Sequence, residues 1–380
     1  MLMLTQVGSL IRPAYACGCG AMVTDGESWL GVERETSAVV WDGRTEQIVM
    51  SLTVNGTAPE AAWIMPVPHR ATARLGDRAL FTELRRVTAP VRRTRHHFWP
   101  REGDWPFDRH DGTAAAPGGA AGASAPPVGV VGRERLGPFE VARLTATDPH
   151  ALSGWLEDNG FELSDRLAEG LEPYVREKWE YVAVRLVPAE GQGGGGSSSS
   201  AGRPTLGGEL DPLHLTFASD RLVYPMRLSR LAKTPQFLEL FVLAPHRMEA
   251  RGAIGGRPPA VTWAGRLDAG KSGPGAGERG PGVGETPLRE LASGRTTFLT
   301  ATTQRFPEPR DIAGDHELRR ADRDTPYRTV VWNGELLTVG GVPAWMATVG
   351  AGLLLAPAAF VAVAVSRARR RSAGRGAPAS

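Results

Sequence analysis

The sequence predicts an α+β protein: a mainly antiparallel β ectodomain with a few short helices and one C-terminal transmembrane helix. Three observations point there. Segments with two-residue apolar alternation outnumber segments with helical spacing. Some are joined by tight turns such as Asp42-Gly43, which suits antiparallel neighbours. Residues 336–366 contain no charged side chain, a run long enough to cross a hydrocarbon layer of about 30 Å.

At the N-terminus, residues 1–16 (MLMLTQVGSLIRPAYA) read as a signal-peptide remnant. An apolar run leads to the helix-breaking Pro13, then to Ala14-Tyr15-Ala16, with the small residues a signal peptidase accepts. The basic segment that should precede them is missing, so the true start is expected upstream. Cleavage after Ala16 leaves Cys17-Gly18-Cys19-Gly20 at the mature terminus, in an oxidising compartment. A lipobox ending in Cys17 is the other reading, although it asks for a Leu-like residue where Ala14 stands.

Residues 17–110 form a first α+β block. SAVVWDGRTEQIVMSLTVNG gives two strands around Asp42-Gly43, with Asn55-Gly56 marking the next turn. AAWIMPVP is a short apolar strand, expected at a sheet edge because Pro66 and Pro68 have no N–H for a ladder. GDRALFTELRRVTAP follows as a helix capped by Asp77, with Leu80, Phe81 and Leu84 on one face. Residues 111–130 are an Ala/Gly/Pro-rich linker of a composition that cannot bury enough apolar area to order the chain.

The second α+β block spans 131–250, with a Gly/Ser-rich insertion at 189–204. Asp148 caps its first helix, Pro149 takes the first helical position and Gly160 stops it. DRLAEGLEPYVREKW is a second helix; EYVAVRLVP, LHLTFASDRLVYPMRL and QFLELFVLAPH are strands. Residues 251–285 read as a Gly/Pro-rich linker, and 286–335 as the C-terminal strands of the ectodomain, after a short helix in TPLRELASG.

The core of the uncharged run, 342–365, is the transmembrane helix. Trp345 suits an interfacial anchor at its start, and Arg367, Arg369, Arg370 and Arg371 follow it in a basic tail, 366–380. By the positive-inside rule the tail is cytoplasmic and the rest outside the cell membrane. The arginine run also fits an acidic-lipid or nucleic-acid patch, but a topology lock needs no further partner. Globally, 44 basic against 41 acidic residues give no case for nucleic acid as a partner.

Several stretches together carry a resemblance: ACGCGAMV, WDGRTEQIVMSL, AAWIMPVP, ALFTEL with VTAP, LDPLHLTF and VYPMRLS, followed by one C-terminal membrane helix. In these the chain resembles DUF2330, a family of uncharacterised bacterial proteins common in actinobacteria. The resemblance implies an exported, membrane-anchored protein and makes Cys17 and Cys19 part of the pattern. It implies no mechanism.

Cys17 and Cys19 are the only cysteines of 380 residues. They admit an inert or a readily reduced disulfide, a soft metal ion such as Cu(I), or linkage to a partner. The segment RRTRHHFWPREGDW, from Arg92 to Trp105, interleaves cations with aromatics. It reads as a solvated loop, or as a grip on an anionic wall polymer or lipid headgroup. His96 and His97, adjacent in a strand, point to opposite faces. No nucleophile elbow, phosphate loop or EF-hand motif is present, and His316-Glu317 lacks the second histidine of a zincin. No catalytic residue or cofactor is nominated, and the metal question stays open. The leading expectation is a single-pass cell-envelope protein with a non-catalytic binding module for an envelope protein or anionic wall polymer. The alternative is a thiol redox or metal-handling role.

Overall fold

A computed structural model describes residues 15–17, 20–25, 27–104, 134–136, 139–144, 149–187, 205–267, 286–293 and 297–373. The chain divides into two compact units: Met1–Pro90 with Pro126–Thr329, and Val91–Ala125 with Val330–Ser380.

The first unit begins with β1 (Tyr15–Cys17) and β2 (Gly20–Val23), then the long hairpin of β3 (Leu30–Trp41) and β4 (Thr45–Gly56). Asp42 shapes the hairpin turn by accepting from the N–H groups of Arg44 and Thr45 at 3.0 and 2.8 Å. Gly43 takes the positive φ of 100° that the turn demands. After β5 (Ala61–Val67) and β6 (Thr72–Leu75) comes α1 (Arg78–Val87), where the Asp77 cap accepts from Ala79 N–H at 2.7 Å. β7 (Val91–His97) belongs to the second unit.

The first unit resumes with β8 (Glu134–Leu136), β9 (Phe139–Leu144), α2 (Pro149–Asp158), α3 (Asp165–Arg176) and β10 (Glu180–Leu186). Beyond the 189–204 insertion lie β11 (Gly208–Glu209), β12 (Leu213–Ala218) and β13 (Leu222–Tyr224), then a 3-10 turn at Arg227–Leu231. The unit ends with β14 (Gln236–Ala244), β15 (Met248–Ala250), β16 (Ala260–Leu267), α4 (Pro287–Leu291), β17 (Thr297–Phe306), β18 (His316–Arg320) and β19 (Tyr327–Arg328).

These strands build three sheets. One runs β1-β2-β5-β10-β9-β8; a second runs β19-β16-β17-β14-β3-β4-β12-β6, with β11 on β4; a third is β13-β18-β15. Within the second sheet β14 lies parallel to β3, while the other ladders are antiparallel. Two-residue periodicity then sorts the layers. One face of the nine-stranded sheet buries Val39, Ile48, Leu215 and Leu240 against Trp63, Val182 and Phe139 of the six-stranded sheet. Its other face, with Val49, Phe241 and Leu299, packs under α1 and α4. The outer face of the six-stranded sheet is covered by α2 and α3 through Leu156, Leu167 and Tyr174. The result is an α+β sandwich, helices outside and two sheet layers inside. Strands from both sequence blocks interleave in it, since β4 pairs with β12 and β5 with β10.

Three expectations change. β5 is an interior strand, held between β2 and β10. Its ladder with β2 covers only Ala62 to Ile64, so Pro66 has a neighbour on the β10 side alone and its missing N–H breaks no bond. The stretch 251–285 is not linker throughout. It contains β16, whose Val261, Trp263 and Ala264 pair along β17, and the flanking glycines and prolines mask this short apolar run. The strand expected through VYPMRL ends at Tyr224, and Arg227–Leu231 turn as 3-10 helix. The linker 111–130, the insertion 189–204 and the Asp148 cap lie outside the described residues.

The second unit contains β7, β20 (Val330–Leu336), β21 (Thr338–Val339), β22 (Val342–Pro343) and α5 (Ala344–Ala373). β7 and β20 pair in parallel from Val91↔Val330 to His97↔Leu336. Ala344–Arg370 is long and apolar enough to cross a membrane, with a mean hydropathy of 2.2 and none of its apolar window buried.

Candidate functional site

The interior between the nine-stranded and three-stranded sheets is unusually polar. A bulge in β3 between Val32 and Arg34 is the local cause. Without it, Val32 and Glu35 would face opposite ways; the extra residue turns both inward. Glu35 and Ser37 thereby enter the core, where both meet the hydroxyl of Tyr224 from β13. Ser37 Oγ lies 2.6 Å from that hydroxyl, and the hydroxyl donates to Glu35 Oε1.

Opposite Tyr224 in the β13–β18 ladder stands His316, 2% exposed. Neither ring nitrogen has a hydrogen-bond partner among the described residues. Burial holds this imidazole neutral and pulls its pKa down to about 4. His316 lines a cavity of about 250 Å³ whose wall includes Leu240, Val242, Thr300, Val261 and Pro259. Glu249, paired to Arg319 at 2.6 Å, and the exposed Pro258 also line it and form its outer rim. The arrangement is an apolar pocket with one unengaged donor–acceptor group at its wall, the kind of site that orients a small molecule.

His316 is held from behind through its neighbour. Asp315 accepts from the Tyr174 hydroxyl at 2.6 Å and from the N–H groups of Met226 and Arg227 at 2.8 and 2.9 Å, and pairs with the Arg227 guanidinium at 3.1 Å. It thus ties α3, the 3-10 turn and β18 together. Next to Tyr224 in the chain, Val223 N–H donates at 3.3 Å to Glu46, which is wholly buried. Burial holds its carboxyl well above the usual range.

The residues singled out from sequence fall elsewhere. Cys17 closes β1 opposite Gly20, while Cys19 lies outside the described residues. Tyr15 and Ala16 sit in the same ladder opposite Met22 and Ala21, so cleavage after Ala16 would remove most of β1. Trp345, Arg367, Arg369 and Arg370 lie within α5 and bracket its apolar stretch, the arginines exposed. Arg371 is in the helix, its side chain outside the described residues. From Trp345 to Arg367 the helix rises about 33 Å, the thickness of a hydrocarbon core with its margins. Among the described residues, no group of three or more His, Cys, Asp or Glu side chains is placed to hold a metal ion.

The Arg92–Trp105 segment becomes β7 and a loop, Trp105 lying outside the described residues. Asp104 fastens this loop: its carboxylate meets His97 Nε2 at 2.7 Å and accepts from Arg101 N–H at 2.5 Å. The His97 bond, then the Arg101 N–H, holds Asp104 below the usual carboxylate range. Trp332 of β20 lies against Arg93, guanidinium to ring centroid 5.8 Å. Sequence reasoning found this segment but missed Glu35, Ser37, Tyr224 and Glu46 and gave His316 no role. The alternation of Glu46 with Ile48 and Met50 was the one readable signal among them.

A family profile described as an uncharacterized protein conserved in bacteria (DUF2330) matches residues 13–319. No curated protein matches the chain. No solved structure does either.

Proposed function

The chain belongs to the DUF2330 family of uncharacterised bacterial proteins, and on that premise we propose that it is a membrane-tethered, non-catalytic binding module. Its ligand is a small amphiphile held between the sheets, its apolar body against Leu240, Val242 and Val261 and its hydrogen-bonding group against His316. The observation that carries this reading is the cavity whose wall holds a buried imidazole with both nitrogens unengaged among the described residues. Unmade hydrogen bonds at buried groups cost roughly 1–3 kcal/mol each, a cost that a bound ligand removes. In this reading α5 anchors the protein in the cell membrane, the arginine tail stays in the cytoplasm and the sandwich faces outward, toward envelope components.

The test follows the His316 ring resonances while octanol is added to the full chain in detergent micelles. A saturable shift of His316, abolished in His316→Phe with the fold retained, supports the reading. Resonances that stay fixed through the titration refute it. The competing proposal gives Cys17 and Cys19 a thiol redox or metal role. Alkylation with and without reductant decides that one: thiols that are always free, in a preparation without bound metal, end it.

A further inference from the structure

The β7–β20 ribbon is exposed along nearly its whole length, a condition in which two strands alone hold together poorly in water. Its register gives it two unlike faces. Val91, Arg93 and Arg95 of β7 share one face with Val330, Trp332 and Gly334 of β20. The other face carries Arg92, Thr94 and His96 with Val331, Asn333 and Glu335, and there Thr94 donates to Glu335 at 3.3 Å. The first face therefore combines exposed apolar and aromatic groups with two arginines; the acidic Glu335 lies on the opposite side, and the one carboxylate at the His97 end of the first face, Asp104, is mostly covered and paired to His97. Trp332 is 57% exposed, and Trp99 in the following loop 65%.

The ribbon is also tied to the start of the apolar helix. Leu337 N–H donates to His97 O at 2.9 Å, continuing the ladder, and Ala344 N–H donates back to Leu337 O at 2.8 Å. Between them β21 and β22 form a two-rung hairpin. Trp332 lies four residues up the ribbon from Leu336, or roughly 13 Å along a strand. A charged surface is felt over only about 8 Å at physiological salt, so Trp332 and the arginines beside it meet headgroups only if the ribbon lies along the bilayer rather than standing on it. Arg93 and Arg95 are some 250 residues from the helix in sequence, yet the fold pairs them with Trp332 and Gly334 on the strand that leads to it.

We propose that this ribbon lies along the bilayer surface into which α5 inserts, with the Arg93–Arg95–Trp332 face on anionic phospholipid headgroups. Guanidinium groups match phosphate oxygens in a fork, and Trp side chains settle at the headgroup level. The ribbon then acts as a foot that sets the posture of the helix entry. The proposal rests on α5 being a membrane anchor.

Because the chain has ten tryptophans, the test reads the difference between the full chain and Trp332→Phe. Both are reconstituted into vesicles of phosphatidylcholine alone, or of phosphatidylcholine with phosphatidylglycerol, each with and without brominated acyl chains. Flotation with the vesicles in high salt reports the anchor; quenching of the Trp332 contribution by bromine reports the ribbon. The expected result is flotation in both mixtures and Trp332 quenching only with phosphatidylglycerol. Arg93→Gln and Arg95→Gln should each weaken that docking about fivefold. Flotation with Trp332 still water-exposed on anionic vesicles overturns the ribbon proposal alone and leaves the face to a soluble anion. Failure to float overturns the anchor and the ribbon together.

Discussion

Tyr224 and Glu35, 189 residues apart, are joined by a hydrogen bond inside the sandwich, the tyrosine hydroxyl donating to the carboxylate from the three-stranded sheet to the nine-stranded one. The bond exists because a bulge turns Glu35 inward and a short strand ends at Tyr224, just before the chain enters a 3-10 turn. Ser37 shares the same hydroxyl. Polar groups at this depth are stabilising only while all are satisfied.

Tyr224→Phe removes the hydroxyl that Glu35 and Ser37 share. The expected loss is about 1–3 kcal/mol, the cost of a buried polar partner left behind. Chemical denaturation at neutral pH measures it. A neutral outcome would show that the Glu35–Tyr224 bond contributes nothing net to folding.

Glu46 links stability to pH in a direction opposite to the common carboxylate. Its folded pKa is raised, so the folded state holds a proton that the unfolded state releases above the ordinary glutamate value of 4.5. Stability from this group is therefore full below that value and falls as pH rises toward the folded pKa. Glu46→Gln keeps a neutral group of similar shape. Chemical denaturation should find it more stable than the native chain at pH near 8, with little difference in acid.

His316 acts on the acid side. With a folded pKa of about 4 against 6.5 unfolded, the unfolded state takes up the proton first as pH falls. Stability present above 6.5 is lost between there and about 4, by roughly 3 kcal/mol. His316→Phe should flatten that limb of a stability–pH curve. His214, also held near 4 by burial and then by the Arg74 charge, leaves a residual slope in the variant.

Lys178 occupies a position that suits glycine. It follows α3 with a φ of 58°, while Trp179 N–H reaches back to Tyr174 O at 3.0 Å to close the helix end. A side chain in that conformation carries strain that glycine lacks. Lys178→Gly should raise stability by about 0.5–1 kcal/mol, read as a rise in melting temperature. A fall would mean that the Lys178 side chain makes a compensating contact.

Much of the fold could be read along the chain because local rules and final structure agree there. Asp42-Gly43 makes the hairpin, Asp77 caps α1, and Leu213, Leu215 and Phe217 alternate into the core. Where the readings diverge, a non-local cause is at work. Pro66 sits in an interior strand because β2 stops short of it. β16 escaped notice because proline and glycine flank a run of only eight residues. The candidate pocket was illegible for a stronger reason: β13, β14, β15, β17 and β18 all contribute to it or adjoin it, and sequence spacing carries no information about which strands become neighbours.

By itself the sequence determined the α+β class, the hairpin and helix termini, and one apolar helix at the carboxyl end, since each depends on periodicity and capping within a few residues. Tertiary structure alone decided that Glu35 faces inward, that His316 lines a cavity with its nitrogens unengaged among the described residues, and that Arg93 comes to stand beside Trp332. Those facts follow from one bulge and from long-range strand pairing, whose outcome is set by the burial of whole sheet faces rather than by any local stretch of residues.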